Sequence, residues 1–197
     1  MKRTKQANIP TKTELEGLLT LSKEGGRHGM RNWAMLHMSY FAGLRAKEIA
    51  MLNIEDLFKG DELRTSTFLD ESQTKGSQPR RITLVDSKLR SALSTYFFKC
   101  KSDVSAKVTS PLFTNQSGAR FTANGVVKLF EKLYKNAELE CSSHSGRRYF
   151  ATKLGNTPGI TTKQMMALGG WSQPNVAIQY VETNDEQLDE LVGRAIL

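Results

Sequence analysis

The sequence predicts a mainly α-helical chain with one small antiparallel β hairpin near its middle, an α+β arrangement in a single unit. Three observations predict it. Apolar residues recur at helical spacing through most of the chain, as in Leu89, Leu93, Tyr96, Phe97 and Cys100. The pattern changes to short β-type runs only between residues 63 and 85, where LRTSTFL and RRITLV flank the polar loop DESQTKGSQP. A length of 197 residues suits one hydrophobic core with a small appendage.

Taken in order, residues 1–10 (MKRTKQANIP) are basic and polar and are expected to form a mobile arm; Met1 ahead of such an arm looks like a natural start, and a fragment of a longer protein is the equal alternative. Thr11 and Thr13 compete as helix N-caps, each with Glu three residues later, before Leu15, Leu18 and Leu19. Gly25 and Gly26 end that helix. The next, over residues 31–42, places Trp33, Leu36, His37, Tyr40 and Phe41 on a core face, where His37 reads as a structural histidine. Gly43 stops it. Arg45 opens a third helix with Ile49 and Leu52 inward and Glu48 at i+3, a spacing that can orient a guanidinium.

After the hairpin, Asp86 caps the helix of Leu89 and Leu93, and residues 101–109 form a polar loop. SPLFTNQSGARFT reads as an extended piece and a turn. A further helix carries Val126, Phe130, Leu133, Tyr134 and Ala137, so Tyr134, like Tyr96, is a packing residue. In SSHSGRRYFATKLG, a histidine and two arginines (His144, Arg147, Arg148) open a helix whose apolar side is Phe150, Ala151 and Leu154. A helix N-terminus with a guanidinium fork is a good receptor for phosphate. The helix KQMMAL starts at Thr161 or Thr162, uses Met165 and Met166 as core filler, and ends at Gly169-Gly170. A turn rich in Gly, Ser and Pro leads to Tyr180, nine residues after Trp171. Residues 183–197 form a last helix with the stripe Leu188, Leu191, Val192, Ala195 and Ile196.

Charge is uneven. Residues 1–180 hold 27 basic and 15 acidic side chains, whereas residues 181–197 hold one and five. A basic body favours a polyanion through counterion release. Cys100 and Cys141 lie far apart, with no CxxC spacing and no paired histidines, so neither a metal site nor a cofactor is expected. No apolar run approaches membrane-spanning length, and a cytosolic location, in a cell whose DNA is accessible to the protein, is the expectation.

Three ordered blocks resemble the tyrosine recombinases of the phage-integrase family, in a match that spans about residues 9–182. YFAGLRAKEIAMLNIEDL is similar to the block that carries the family's first catalytic arginine, here Arg45. TKGSQPRRITL is similar to the hairpin that carries its lysine, here Lys75, which by itself would read as a solvated turn residue. His-x-x-Arg, then Gly-Trp, then Tyr nine residues on, is similar to the closing block.

The resemblance implies a catalytic-domain fold over residues 11–182 and a site-specific recombinase that cuts and rejoins DNA strands. Arg45 and Arg147 would clamp the scissile phosphate, with Glu48 positioning. Tyr180 would attack phosphorus to give a 3′-phosphotyrosine, His144 would accept its proton or share a phosphate contact, and Lys75 would protonate the leaving 5′-oxygen. Trp171 stands where histidine is commoner; its indole N–H can donate but cannot take a proton. Arg80 and Arg81, on opposite faces of their run, and Arg148 are DNA-contact candidates. Implied partners are double-stranded DNA, further copies in a tetramer through the C-terminal helix, and a DNA-bending accessory protein. The rival readings are a type IB topoisomerase-like activity and a DNA-binding regulator without catalysis; competent residue types at every matched position argue against the second.

Overall fold

The computed structural model describes residues 7–74, 79–103 and 110–180. Helix α1 (Lys12–Glu24) starts at Thr11 rather than Thr13, because a complete capping box forms there: the Glu14 carboxylate accepts from the Thr11 N–H at 2.7 Å and the Thr11 hydroxyl accepts from the Glu14 N–H. A 3₁₀ turn, Gly26–His28, leads into α2 (Gly29–Phe41), which begins two residues earlier than the apolar pattern suggests. Almost every side of α2 is buried, since α1, α5 (Ser87–Asp103) and α7 (Ser145–Gly155) all pack on it. His37 lies within it at 2 % exposure, stacked on Phe41 and edge-on to Trp33, its Nδ1 2.8 Å from the Trp33 carbonyl.

Two short helices, α3 (Ala46–Met51) and α4 (Ile54–Leu57), follow. The strand region holds two antiparallel pairs rather than the single hairpin expected. β1 (Phe58–Lys59) pairs with β2 (Glu62–Leu63), and β3 (Ser66–Leu69) pairs with β4 (Arg80–Thr83) with Phe68 opposite Arg81 and Leu69 opposite Arg80. Two-residue strands are too short to display an alternation, which is why the first pair left no pattern to read. Helix α6 (Ala123–Asn136) then packs on α3. Thr161, not Thr162, caps α8 (Thr162–Gly169), and α9 (Pro174–Ile178) occupies what the sequence presented as a turn.

The main core runs from Leu15 to Tyr134 and centres on Met35, Leu36, Met38 and Tyr40; the Tyr40 and Tyr134 hydroxyls bond to each other, 3.2 Å apart, as packing residues with a shared polar end. A second, smaller cluster joins Ala151, Met165, Trp171 and Ala177, with Tyr180 half-buried against it. Part of the expected N-terminal arm is packed: Pro10 is buried, and the Asn8 amide donates to the Glu140 carbonyl at 2.8 Å. The expected C-terminal helix of residues 183–197 lies outside the described residues. Among the described residues, no helix is long and apolar enough to cross a membrane.

Candidate active site

The site forms where the turn between α2 and α3 meets the first turn of α7 and the end of α8. Gly43 makes that turn with φ +64°, and a Cβ there would lie 2.3 Å from Cδ1 of Phe150 on α7. Glycine therefore permits both the left-handed backbone and the close approach of α7. Phe150 and Arg147 share a helical face, so the packing that seats the ring on Gly43 also delivers the guanidinium to the Gly43 carbonyl. Arg147 Nη1 donates to that carbonyl at 2.7 Å, and Nη2 donates to the Gly169 carbonyl at the end of α8.

Two residues beyond Gly43, Arg45 is the N-cap of α3, and its Nη1 lies 2.7 Å from Oε1 of Glu48. Glu48 is fully buried and also accepts from the Arg45 backbone N–H at 2.8 Å, so the i+3 spacing fixes this arginine at both ends. The other oxygen of the carboxylate meets a residue from the hairpin. Arg80 Nη2 is 2.7 Å from Glu48 Oε2, and Nε is 3.2 Å from Oε1.

Arg80 departs from the expectation placed on it. It is 4 % exposed, and its guanidinium also donates to the carbonyls of Leu168 at 2.9 Å and Gly43 at 3.3 Å. A side chain whose donors are spent inside the protein does not face DNA phosphate, which corrects its reading as a contact residue. The signal was in the sequence: in a strand, Arg80 shares its face with Ile82, and Ile82 is core. Arg81 takes the other face, exposed, with Nη2 3.1 Å from the Ser66 hydroxyl. Arg148 is half-buried and donates to the Ala7 carbonyl at 2.5 Å, so part of its capacity secures the chain entering α1.

Two guanidinium groups thus hold one carboxylate, and the third, that of Arg147, lies within reach of its charge. Burial pulls the Arg147 guanidinium down to about 9, and the neighbouring charges of Arg45 and Arg80 push the same way, against Glu48 and Tyr180. Burial alone would raise the Glu48 carboxyl, but the charge and hydrogen bonds of Arg80, together with Arg45, hold it below the ordinary carboxylate range. The surplus is positive, and an anion would relieve it. Arg147 uses two of its five N–H donors on carbonyls, a share that leaves a fork for such an anion.

The aromatic pair completes the constellation. Trp171 follows Gly170, which ends α8 in the left-handed conformation at φ +62°. The Arg147 guanidinium sits 5.2 Å over the indole. Tyr180 stacks on Trp171, its ring 5.2 Å away and inclined by 19°. The short helix α9 spans the interval between them, and the Tyr180 N–H bonds to the Ala177 carbonyl at 3.1 Å. Arg45, Glu48, Arg147, Trp171 and Tyr180 are therefore brought together.

His144 is the exposed N-cap of α7, three residues before Arg147, with its backbone N–H directed to the Ser142 hydroxyl. Lys75 lies outside the described residues. The residue before it, Thr74, is buried, and its carbonyl accepts from Lys47 of α3 at 2.7 Å. Gln73 beside it bonds to Asp56 at 2.7 Å. Sequence reasoning missed these anchors and the three backbone carbonyls, because a carbonyl acceptor has no residue type to announce it. Among the described residues no cluster of His, Cys, Asp and Glu is arranged to hold a metal ion.

Comparison with known proteins bears on the same stretch. The chain is 31% identical over 181 residues to the tyrosine recombinase XerC of Bacillus pumilus, covering 89% of this chain and 57% of the relative. It is 28% identical over 176 residues to XerC of Pelotomaculum thermopropionicum, covering 85% and 54%. The chain thus spans little more than half the length of these curated relatives. The crystal structure of XerA recombinase shares the fold with a TM-score of 0.72 at 18% identity, covering 98% of this chain and 66% of that one. The model of the phage integrase family matches residues 9–187, and the chain belongs to that family.

Proposed function

We propose that this chain is the catalytic unit of a site-specific DNA recombinase, breaking and rejoining strands through Tyr180. The observation that carries this reading is the stack of Arg147 over Trp171 and of Trp171 against Tyr180, which sets a phenol beside a buried cation with donors to spare. Arg45 and Arg147 hold the non-bridging oxygens of one phosphodiester and offset the charge that grows as phosphorus becomes five-coordinate. The Tyr180 oxygen forms a bond to phosphorus while the bond to the 5′-oxygen breaks. The phenolic proton passes to His144, and the leaving oxygen takes a proton from Lys75. The products are a 3′-phosphotyrosine and a free 5′-hydroxyl. Attack by a 5′-hydroxyl from a partner duplex reverses the step, and the bond energy is conserved without a nucleotide cofactor.

The basic charge of residues 1–180 supports duplex DNA as the substrate. In this reading copies assemble as a tetramer on paired sites, with the acidic C-terminal stripe docking on a neighbour, a DNA-bending protein assists, and the reaction takes place on chromosomal or phage DNA in the cytoplasm. The test uses sheared genomic DNA carrying nicks, on which cleaved strands drift away and adducts accumulate. Wild-type protein is expected to trap covalent adducts, and Tyr180→Phe to bind the same DNA and trap none. Undiminished adducts from Tyr180→Phe refute the assignment.

A further inference from the structure

Arg80 is the least expected participant in the site, and its bonds say what it does there. It reaches three separate pieces of backbone and side chain: Glu48 on α3, the Gly43 carbonyl in the turn before α3, and the Leu168 carbonyl at the end of α8. Arg147 grips the same two backbone regions, at the Gly43 carbonyl and at the Gly169 carbonyl one residue beyond Leu168. Gly43 is a shared acceptor, using both lone pairs of one oxygen. Through Glu48, Arg80 is also one bond removed from Arg45. No other described side chain bonds to both the carboxylate that holds Arg45 and the carbonyls beside those that hold Arg147.

The fit is close. A Cβ on Gly170 would lie 2.3 Å from Cδ of Arg80, so the glycine that ends α8 also makes room for this side chain. The strand register sets Arg80 opposite the fully buried Leu69, with Ile82 beside it on the inward face. The hairpin thereby fixes the Arg80 backbone from one side while Glu48 fixes its guanidinium from the other.

We infer that Arg80 is a positioning residue for phosphate activation: it never touches DNA, and it sets the distance between the Arg45 and Arg147 guanidinium groups by locking the α2–α3 turn to the end of α8. This rests on the recombinase reading above. Its chemical consequence is specific. Two guanidinium groups aimed at one phosphate lower the barrier by offsetting negative charge on the non-bridging oxygens, and a small misplacement weakens that effect sharply. A residue that acts through them matters in proportion to the charge to be offset.

The experiment uses the full chain and a nicked duplex carrying the sequence recovered from wild-type adducts. The duplex is made twice, once with an ordinary phosphodiester at the cleaved position and once with a methylphosphonate, in which methyl replaces one non-bridging oxygen and removes the charge. On the phosphodiester, Arg80→Met is expected to slow adduct formation on the order of 100-fold, the scale of losing one oriented donor. On the methylphosphonate the loss shrinks to less than about tenfold, since there is little charge for the misplaced arginines to offset. Affinity for DNA stays within about threefold of wild type, because Arg80 makes no phosphate contact.

Removing one partner of a buried ion pair can unfold a protein, so Arg80→Lys is measured alongside. Lysine keeps a cation against Glu48 but cannot span all three anchors, and it is expected to give an intermediate loss with the same substrate dependence. Where Arg80→Met does not fold, the Arg80→Lys comparison decides. Equal losses on both substrates in the variant that folds overturn the inference and leave Arg80 an ordinary structural residue. Weakened binding with an unchanged cleavage rate overturns it in favour of a DNA contact, and an unchanged rate with unchanged binding overturns it outright. Wild-type protein that traps nothing on any DNA sinks the recombinase reading itself and the inference with it; wild-type adducts with equal variant losses sink only the inference.

Discussion

The two apolar clusters of this molecule differ in how they are held. The main core surrounds α2 with side chains from α1, α3, α5, α6 and α7, and Leu36 and Met38 at its centre are fully buried. The second cluster has four buried residues, Ala151, Met165, Trp171 and Ala177, and carries Tyr180 on its edge. Apolar burial is the dominant favourable term in folding, so the smaller cluster has little of its own. Polar ties compensate: Arg147 and Arg80 bind the carbonyls of Gly169 and Leu168 and so fasten the end of α8 to the turn beside the main core. Arg80 and Arg147 belong to the deep part of the protein and Tyr180 to the shallow part. In the proposed reaction, the arginines that hold the phosphate are fixed against the main core, while Tyr180 is carried on a thinly packed segment.

The largest effect expected is at the boundary between the two regions. Arg147→Lys removes the fork that binds two carbonyls and, in the proposed reaction, the phosphate as well, and it should slow adduct formation by roughly 10²- to 10³-fold while duplex binding in a gel-shift assay weakens far less. Binding and cleavage lost in the same proportion would break the division between anchor and grip.

Next comes a pair of truncations that sharpens the contrast. Leu36→Ala, in the main core, should lower the free energy of unfolding by about 2–5 kcal/mol, read by urea denaturation. Met165→Ala should cost less on that measurement yet raise amide exchange around α8 and α9 and reduce adduct yield, because it loosens the unit under Tyr180. A Met165→Ala variant with global destabilisation equal to that of Leu36→Ala would mean that the two clusters unfold as one.

The smallest effect lies wholly within the main core. Burial lowers the affinity of His37 for a proton, and the charges of Lys88 and Lys23 act in the same direction, while the bond to the Trp33 carbonyl and the charge of Asp86 oppose them. Its folded value is below the ordinary 6.5, so the unfolded chain takes up the proton first as pH falls. The contribution is complete above about pH 6.5 and is lost as pH drops from there through the folded value. The thermal midpoint of wild type should decline over that window, and His37→Phe should flatten that part of the decline. A profile identical in both proteins would remove His37 as the cause.

Much of this architecture was legible in the chain. A capping box, one of two that competed, marked the start of α1, and the i+3 spacing of Arg45 and Glu48 is the ion pair seen at 2.7 Å. Helix α9 was hidden by a proline read as a turn former, although proline at the first helical position is also a start signal. The two-residue period puts Arg80 and Arg81 on opposite faces, and Ile82 marks the Arg80 face as the inward one. What no residue type could reveal was the role of the Gly43, Leu168 and Gly169 carbonyls, since tertiary packing alone decides which backbone oxygens face a buried cation.

The central claim is that the Tyr180 oxygen forms the bond to phosphorus. Adducts trapped on nicked DNA, digested with nuclease and protease and sequenced by mass spectrometry, test it most directly. The account predicts a residual nucleotide on the peptide containing Tyr180. A nucleotide attached instead to the peptide containing Tyr149, or to any serine, would contradict it.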